Sequence, residues 1–213
     1  MSEELFQFVD TDHAASLQRE LSTRVKSIDD PLFEPRFLCG IDVAYDGDTA
    51  FVAAATFDVA NAEIIEIATN VDNVSTKYVP GFLGFREGPL VVRIVENLRA
   101  RPDVFLIDGQ GVAHPRKFGL ACHVGLALDR PTIGVAKSRL YGRYDESKII
   151  DPGGEVIGRI LTADSRKFYV SVGHRISLET ASYLVEKSLV SGHPAPLRQA
   201  HLESIRAKKG GSN

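Results

Sequence analysis

The apolar positions of this chain repeat with two different periods, and the order in which those periods occur predicts most of the fold. Over residues 13–28, HAASLQRELSTRVKSI, the apolar residues Leu17, Leu21, Val25 and Ile28 fall on one stripe at helical spacing. Asp12 stands where an N-cap is expected, and Pro31 and Pro35 end the pattern. Three strand-like stretches follow, RFLCGIDVAY (36–45), FVAAATFDV (51–59) and EIIEIATNV (63–71). Turn signals at Asp46-Gly47-Asp48 and around Asn61 join them, and such short connections predict an antiparallel meander.

Beyond a Gly- and Pro-containing loop (76–85), helical spacing returns from about Glu87 to Ala100, with Leu90, Ile94, Val95 and Leu98 inward. DVFLID (103–108) and PTIGVA (131–136) are short apolar runs of the kind expected in strands covered on both faces. Between them, 118–128 reads as a helix. The last third predicts strands at 155–162 and 168–173 and helices at about 178–190 and 195–208. A meander followed by alternating helices and buried strands predicts an α/β fold, a mixed sheet with helices on both faces. We expect one domain over residues 1–213, ordered from about 12 to 205, with a disordered tail in the final KKGGSN.

Composition narrows this little. The 213 residues are 44% hydrophobic and 25% charged, an ordinary globular mixture. No apolar run approaches a membrane span, and the acidic N-terminus lacks the basic start of a secretion signal, so a cytoplasmic location is expected. Cys39 and Cys122 lie far apart among apolar residues and read as small core residues. The net charge of −3 argues against a protein that coats nucleic acid non-specifically. It leaves room for acids that bind metal beside a local basic groove.

Candidate chemistry starts with two aspartates. Asp42 interrupts an apolar strand and Asp108 ends one, positions that are costly for a carboxylate unless it is paired or binds a cation. Taken singly, each also reads as a turn or capping residue. Glu87, after the Gly/Pro loop, reads either as a third acid or as a charge favoured by the start of a helix. Three carboxylates without neighbouring thiols or paired histidines suit a hard cation such as Mg²⁺ or Mn²⁺. Such a cation acts on phosphodiesters.

The stretch from Asp108 to Asp129, DGQGVAHPRKFGLACHVGLALD, places Gly109 and Gly111 directly after a strand, where backbone can approach a ligand closely. It matches neither nucleotide-binding glycine motif. His114, Arg116 and Lys117 add donors for phosphate, and Lys137, Ser138 and Arg139 follow the next buried strand. If the two strands are parallel neighbours, Lys137 emerges beside the acids. Tyr78, Phe82 and Phe85, in KYVPGFLGFRE, either pack inward or form an aromatic wedge for a base stack.

GIDVAY, YVPGFLGFRE and the long DGQGVAHPRKFGLACHVGLALDRPTIGVAKSRL together resemble the endonuclease V family, over about residues 12–205. The resemblance implies an RNase H-like fold and an Mg²⁺- or Mn²⁺-dependent nuclease. It would nick one strand at the second phosphodiester 3′ to deaminated adenine, leaving 3′-hydroxyl and 5′-phosphate ends. It implies a metal site of Asp42, Glu87 and Asp108 with His201 beside it, and a catalytic Lys137. Tyr78, Val79 and Pro80 match a strand-separating wedge, although the family often has Pro where this chain has Lys77. Gly81, Leu83, Gly109, Gly111, Gly119 and Leu140 match a pocket for the flipped base, with His114 among the substrate-binding candidates. The implied partner is DNA containing deoxyinosine, or inosine-containing RNA, bound by a monomer. A ribonuclease H, a junction resolvase or a degenerate binding module would use the same acids but leave the VPGFLGFRE loop without a task.

Overall fold

The computed structural model describes residues 2–31 and 33–210. Two helices open the chain, α1 (Ser2–Leu5) and α2 (Thr11–Ser22), followed by the meander β1 (Phe37–Asp46), β2 (Thr49–Asp58) and β3 (Glu63–Asn73). Then come α3 (Leu83–Glu96), β4 (Val104–Ile107), α4 (Leu120–Leu128) and β5 (Thr132–Ala136). The remainder is β6 (Arg143–Asp145), β7 (Lys148–Ile150), β8 (Val156–Ala163), β9 (Arg166–His174), α5 (Leu178–Lys187), the pair β10 (Leu189–Val190) and β11 (His193–Pro194), and α6 (Ala195–Gly210). Nine strands form one sheet in the order β3-β2-β1-β4-β5-β9-β8-β7-β6. The β1–β4 and β4–β5 pairs are parallel and the others antiparallel, so the expected mixed sheet is present.

Strand alternation divides the core into two layers. Cys39 and Ile41 of β1 and Phe105 and Ile107 of β4 pack with Leu90, Ile94 and Val124 of α3 and α4. Leu38, Leu106, Ile133 and Val135 point the other way, toward Leu184, Val185 and Leu197 of α5 and α6. Both β4 and β5 are buried throughout, as their apolar runs predict. Gly40 lets α6 approach β1. A Cβ on Gly40 would come within 2.3 Å of the Pro196 carbonyl carbon, so any side chain there would push α6 off the sheet.

The structure corrects several expectations. The N-cap of α2 is Asp10, whose carboxylate accepts from the His13 amide at 2.8 Å, and not Asp12. That helix stops at Ser22 because the Ser22 and Thr23 hydroxyls donate to the Arg19 and Glu20 carbonyls of its last turn. Ile28 is consequently exposed and off the apolar stripe. Helix α3 begins at Leu83, so Glu87 lies beyond its first turn and is not a dipole-favoured start residue. The expected tail order also shifts: α6 runs on through Lys208, Lys209 and Gly210, and residues 211–213 lie outside the described region. The hairpin β6–β7 was not expected, since three-residue strands carry too little alternation to register.

Candidate active site and base pocket

Alternation along three neighbouring strands places the charged side chains. Ile41 of β1 pairs in register with Ile107 of β4, so Asp42 and Asp108 are the next residues along adjacent parallel strands. The Asp108 amide continues the ladder, donating to the Ile41 carbonyl at 3.3 Å. Ile107 pairs with Gly134 of β5, which carries the chain to Lys137 at the same end of the sheet. The Lys137 ammonium contacts Asp108 Oδ2 at 2.6 Å. Glu87 arrives from α3 on the opposite layer. All of these, with Tyr45 and His201, line one cleft of about 410 Å³.

Helix α6 fixes Asp42. The buried Ser204 hydroxyl donates to Asp42 Oδ2 at 2.7 Å, and His201 Nδ1 stands 3.2 Å from the same oxygen. Sequence reasoning missed Ser204. Its signal is the three-residue spacing from His201, which puts both on one helix face. Gly40, two residues before Asp42 on the same face of β1, admits that helix.

The cleft is electrostatically unbalanced. Burial, then the facing charges of Asp42 and Asp108, push the Glu87 carboxyl up to about 8 against the pull of nearby Tyr45 and Arg86. Burial also raises Asp108 above the ordinary carboxylate range, although Lys137 pulls it down. Lys137, partly buried, is held above its usual value by its bond to Asp108. Among the described residues, no three His, Cys, Asp or Glu side chains are gathered closely enough to enclose a cation as they stand. By donor chemistry the cleft nonetheless fits a hard divalent ion: its acids are carboxylates, and their mutual repulsion is what such an ion relieves.

A second cavity, of about 220 Å³, opens beside the cleft. Tyr78, Gly81, Leu83, Gly109, His114, Gly119 and Leu140 of the expected substrate residues line it, and it shares Leu83 and Leu120 with the acid cleft. Gly111 is not part of that lining. A Cβ there would lie 1.9 Å from the Val172 carbonyl oxygen, so this glycine serves the packing of the loop on β9. Its amide donates to Ser171 Oγ at 2.9 Å. Val79 is half-buried and Pro80 exposed in the Tyr78 loop, outside the lining of the cavity. Of the three aromatics, Tyr78 is 63% exposed, whereas Phe85 is buried and packs with Phe82 against Phe8.

The expected phosphate donors at 114–117 are engaged by partners within the protein. Buried His114 contacts the Gly81 carbonyl through Nε2 at 3.0 Å, and burial lowers its pKa to about 4, so the ring is neutral and donates. Arg116 donates to Gln18 and to the same Gly81 carbonyl. Lys117 pairs with Asp151 and Glu155. Gln18, another residue missed from sequence, is buried and joins α2 to the pocket through the Gly81 and Phe118 carbonyls.

Carboxylates and a lysine held this way are equipped to act on phosphate esters, which defines the class as a phosphodiester-cleaving nuclease on a mixed sheet. The comparisons make the assignment specific. The family model for endonuclease V matches residues 19–202. Endonuclease V of Dictyoglomus turgidum is 37% identical over 213 residues, covering 95% of this chain and 93% of that protein. The structure of the Streptomyces avermitilis enzyme superposes with a TM-score of 0.87 at 35% identity, covering 96% of this chain and 95% of that one. Ciona intestinalis endonuclease V, in complex with a 23mer DNA containing an inosine followed by a ribo-adenosine, gives 0.85 at 26% identity over 93% and 97%. The chain belongs to the endonuclease V family. That family consists of metal-dependent nucleases that nick a strand at deaminated adenine, initiating the repair of deaminated bases.

Proposed function

We propose that this protein nicks DNA at the second phosphodiester 3′ to deoxyinosine, using Mg²⁺, for which Mn²⁺ can substitute, and acting as a cytoplasmic monomer. The observation that carries this reading is the meeting of the two cavities. The acid cleft and the glycine-lined pocket share Leu83 and Leu120, so a base in one leaves its own strand crossing the other. Backbone groups and Gly109 leave room for a flat purine, and flipping costs less at a mismatched base. Tyr78, exposed at the rim, is the group placed to fill the gap in the base stack, with Val79 and Pro80 stiffening its loop.

Asp42 and Asp108 would hold the cation, with Glu87 completing its surroundings. The bound ion would supply Lewis acidity toward the phosphodiester and the attacking water. Ser204 and His201 fix the Asp42 carboxylate through its Oδ2, so His201 acts on the acid it touches. Lys137, anchored on Asp108, is positioned to neutralise charge that develops on the phosphate. The product ends expected are 3′-hydroxyl and 5′-phosphate.

The test is cleavage of matched oligonucleotides with and without one inosine, as DNA and RNA, single- and double-stranded, with Mg²⁺ or EDTA. RNA strands enter the panel because the Ciona complex has a ribonucleotide after its inosine. One nick at the second bond 3′ to inosine, abolished by EDTA, is expected. A nick elsewhere, or equal cleavage without inosine, overturns the reading.

A further inference from the structure

A third cavity borders the acid cleft on the side away from the base pocket. It has a volume of about 360 Å³ and shares Asp108, Lys137 and His201 with the cleft. That size lies in the range of small-ligand sites, on the order of 300–1,000 Å³. Its walls are mostly apolar: Val135 and Phe168 from β5 and β9, and Leu197 and Leu202 from α6. Leu202 is 51% exposed, so this wall is open to solvent. Arg198 and Lys137 supply the positive charge of the rim, with His193 beside them as a neutral ring whose pKa is lowered by burial and by the nearby arginines. Arg166 and Arg198 both face His193, opposed by Asp164.

We propose that this cavity is a subsite for the nucleotide immediately 3′ to the scissile bond. The inference rests on the cleavage position proposed above. The base pocket, the acids and this cavity succeed one another along the carboxyl ends of β4 and β5, so a strand with its lesion in the pocket and its second phosphodiester at the acids continues into it. The chemistry matches that occupant. An apolar wall covers a sugar or base face without reading its identity, and the cationic rim meets the next phosphate. The subsite is therefore sequence-tolerant, and it holds the side of the strand that keeps the 5′-phosphate while the bond to the leaving 3′-oxygen breaks.

The test couples substrate and protein changes in the full-length enzyme. Inosine duplexes are made with a normal nucleotide, or an abasic analogue, directly 3′ to the scissile bond, and with the analogue one position further on as a control. Wild type, Arg198→Ala and Leu202→Ser are compared by kcat/KM. An abasic nucleotide at the subsite is expected to lower wild-type kcat/KM about tenfold, as loss of one base contact does. The control position changes it little. In the variants most of that tenfold difference disappears, because the contact is already lost. If wild type is indifferent to the analogue, or if the loss persists undiminished in both variants, the subsite is wrong while the nicking site stands. If wild type does not cut inosine duplexes at the second bond, the reading beneath it falls, and the subsite falls with it.

Discussion

The acid cleft and the base pocket meet at two leucines yet are built in opposite ways. The cleft is made of side chains on regular elements or directly after them. Asp42 lies in β1, Asp108 and Lys137 directly follow β4 and β5, and Ser204 and His201 on one helix face hold the first of them. The pocket is lined by loop glycines, Gly81, Gly109 and Gly119, set among side chains such as Tyr78, Leu83, His114 and Leu140. Chemistry here needs charges fixed to a rigid sheet, whereas recognition needs a flat space and carbonyl and amide edges. The two regions should therefore fail differently when altered.

The largest effect belongs to the cleft. Asp108→Ala is expected to lower cleavage by on the order of 10³-fold or more while leaving the far-ultraviolet spectrum and inosine-duplex binding in place. Full activity in that variant would remove the carboxylate from the mechanism. Lys137→Ala comes next, at on the order of 10²-fold in kcat with KM little changed, since its charge acts where the phosphate develops negative charge. A loss confined to KM would make Lys137 a general strand contact instead.

The pocket is probed by two glycines that look alike in sequence. A methyl on Gly109 would meet only Leu120, at an ordinary 3.4 Å, and it would narrow the cavity. Gly109→Ala is expected to fold normally and to lose about tenfold in kcat/KM for inosine substrates. Gly111→Ala, driven against the Val172 carbonyl, is expected to lose about 1–3 kcal/mol of stability. Thermal melts and single-turnover rates separate the two, and a normal melt for Gly111→Ala would contradict the packing role.

That pair also shows where sequence stops being informative. The strands were legible because β1, β4 and β5 carry solidly apolar runs, and an aspartate interrupting or ending such a run is conspicuous. The parallel pairing that brings Lys137 to Asp108 followed from the strand–helix–strand order. Ser204, Gln18 and Gly40 were not legible, because their roles depend on contacts between segments from 63 to more than 150 residues apart in the chain, or on space that only the folded α6 occupies. Arg116 and Lys117 misled for the converse reason. A basic pair beside a glycine loop suggests phosphate, and only tertiary partners such as Gln18, Asp151 and Glu155 show that it is already bound.

Tyr78 separates binding from chemistry. With its ring mostly exposed, Tyr78→Ala is expected to weaken binding to inosine-containing duplex about tenfold and to leave single-turnover cleavage at saturating enzyme nearly unchanged. The loss should be smaller on single-stranded substrate, where no stack has to be filled. Equal losses on both strands would mean that Tyr78 contacts the base itself.

The smallest effect concerns acid stability, and it tests whether the pocket's scaffold is neutral. Burial lowers His114 and His123 from an ordinary value of 6.5 to about 4. Between those values the unfolded chain binds protons that the folded protein refuses. Stability is then level above pH 6.5 and falls as pH drops toward 4, the reverse of what a salt-bridged histidine would give. His114 holds the pocket loop through Gly81, whereas His123 holds the N-terminus through the Leu5 carbonyl and a stack on Phe6, 4.5 Å between centroids. Replacing one of them, as in His114→Gln, should flatten the fall in Tm between pH 6.5 and 4 by less than half, because His123 shares it with a similar shift and burial also lowers His174 and His193. An unchanged slope would show that His114 is protonated in the folded protein, and the hydrogen bond that shapes the pocket would then have to be assigned to a charged ring.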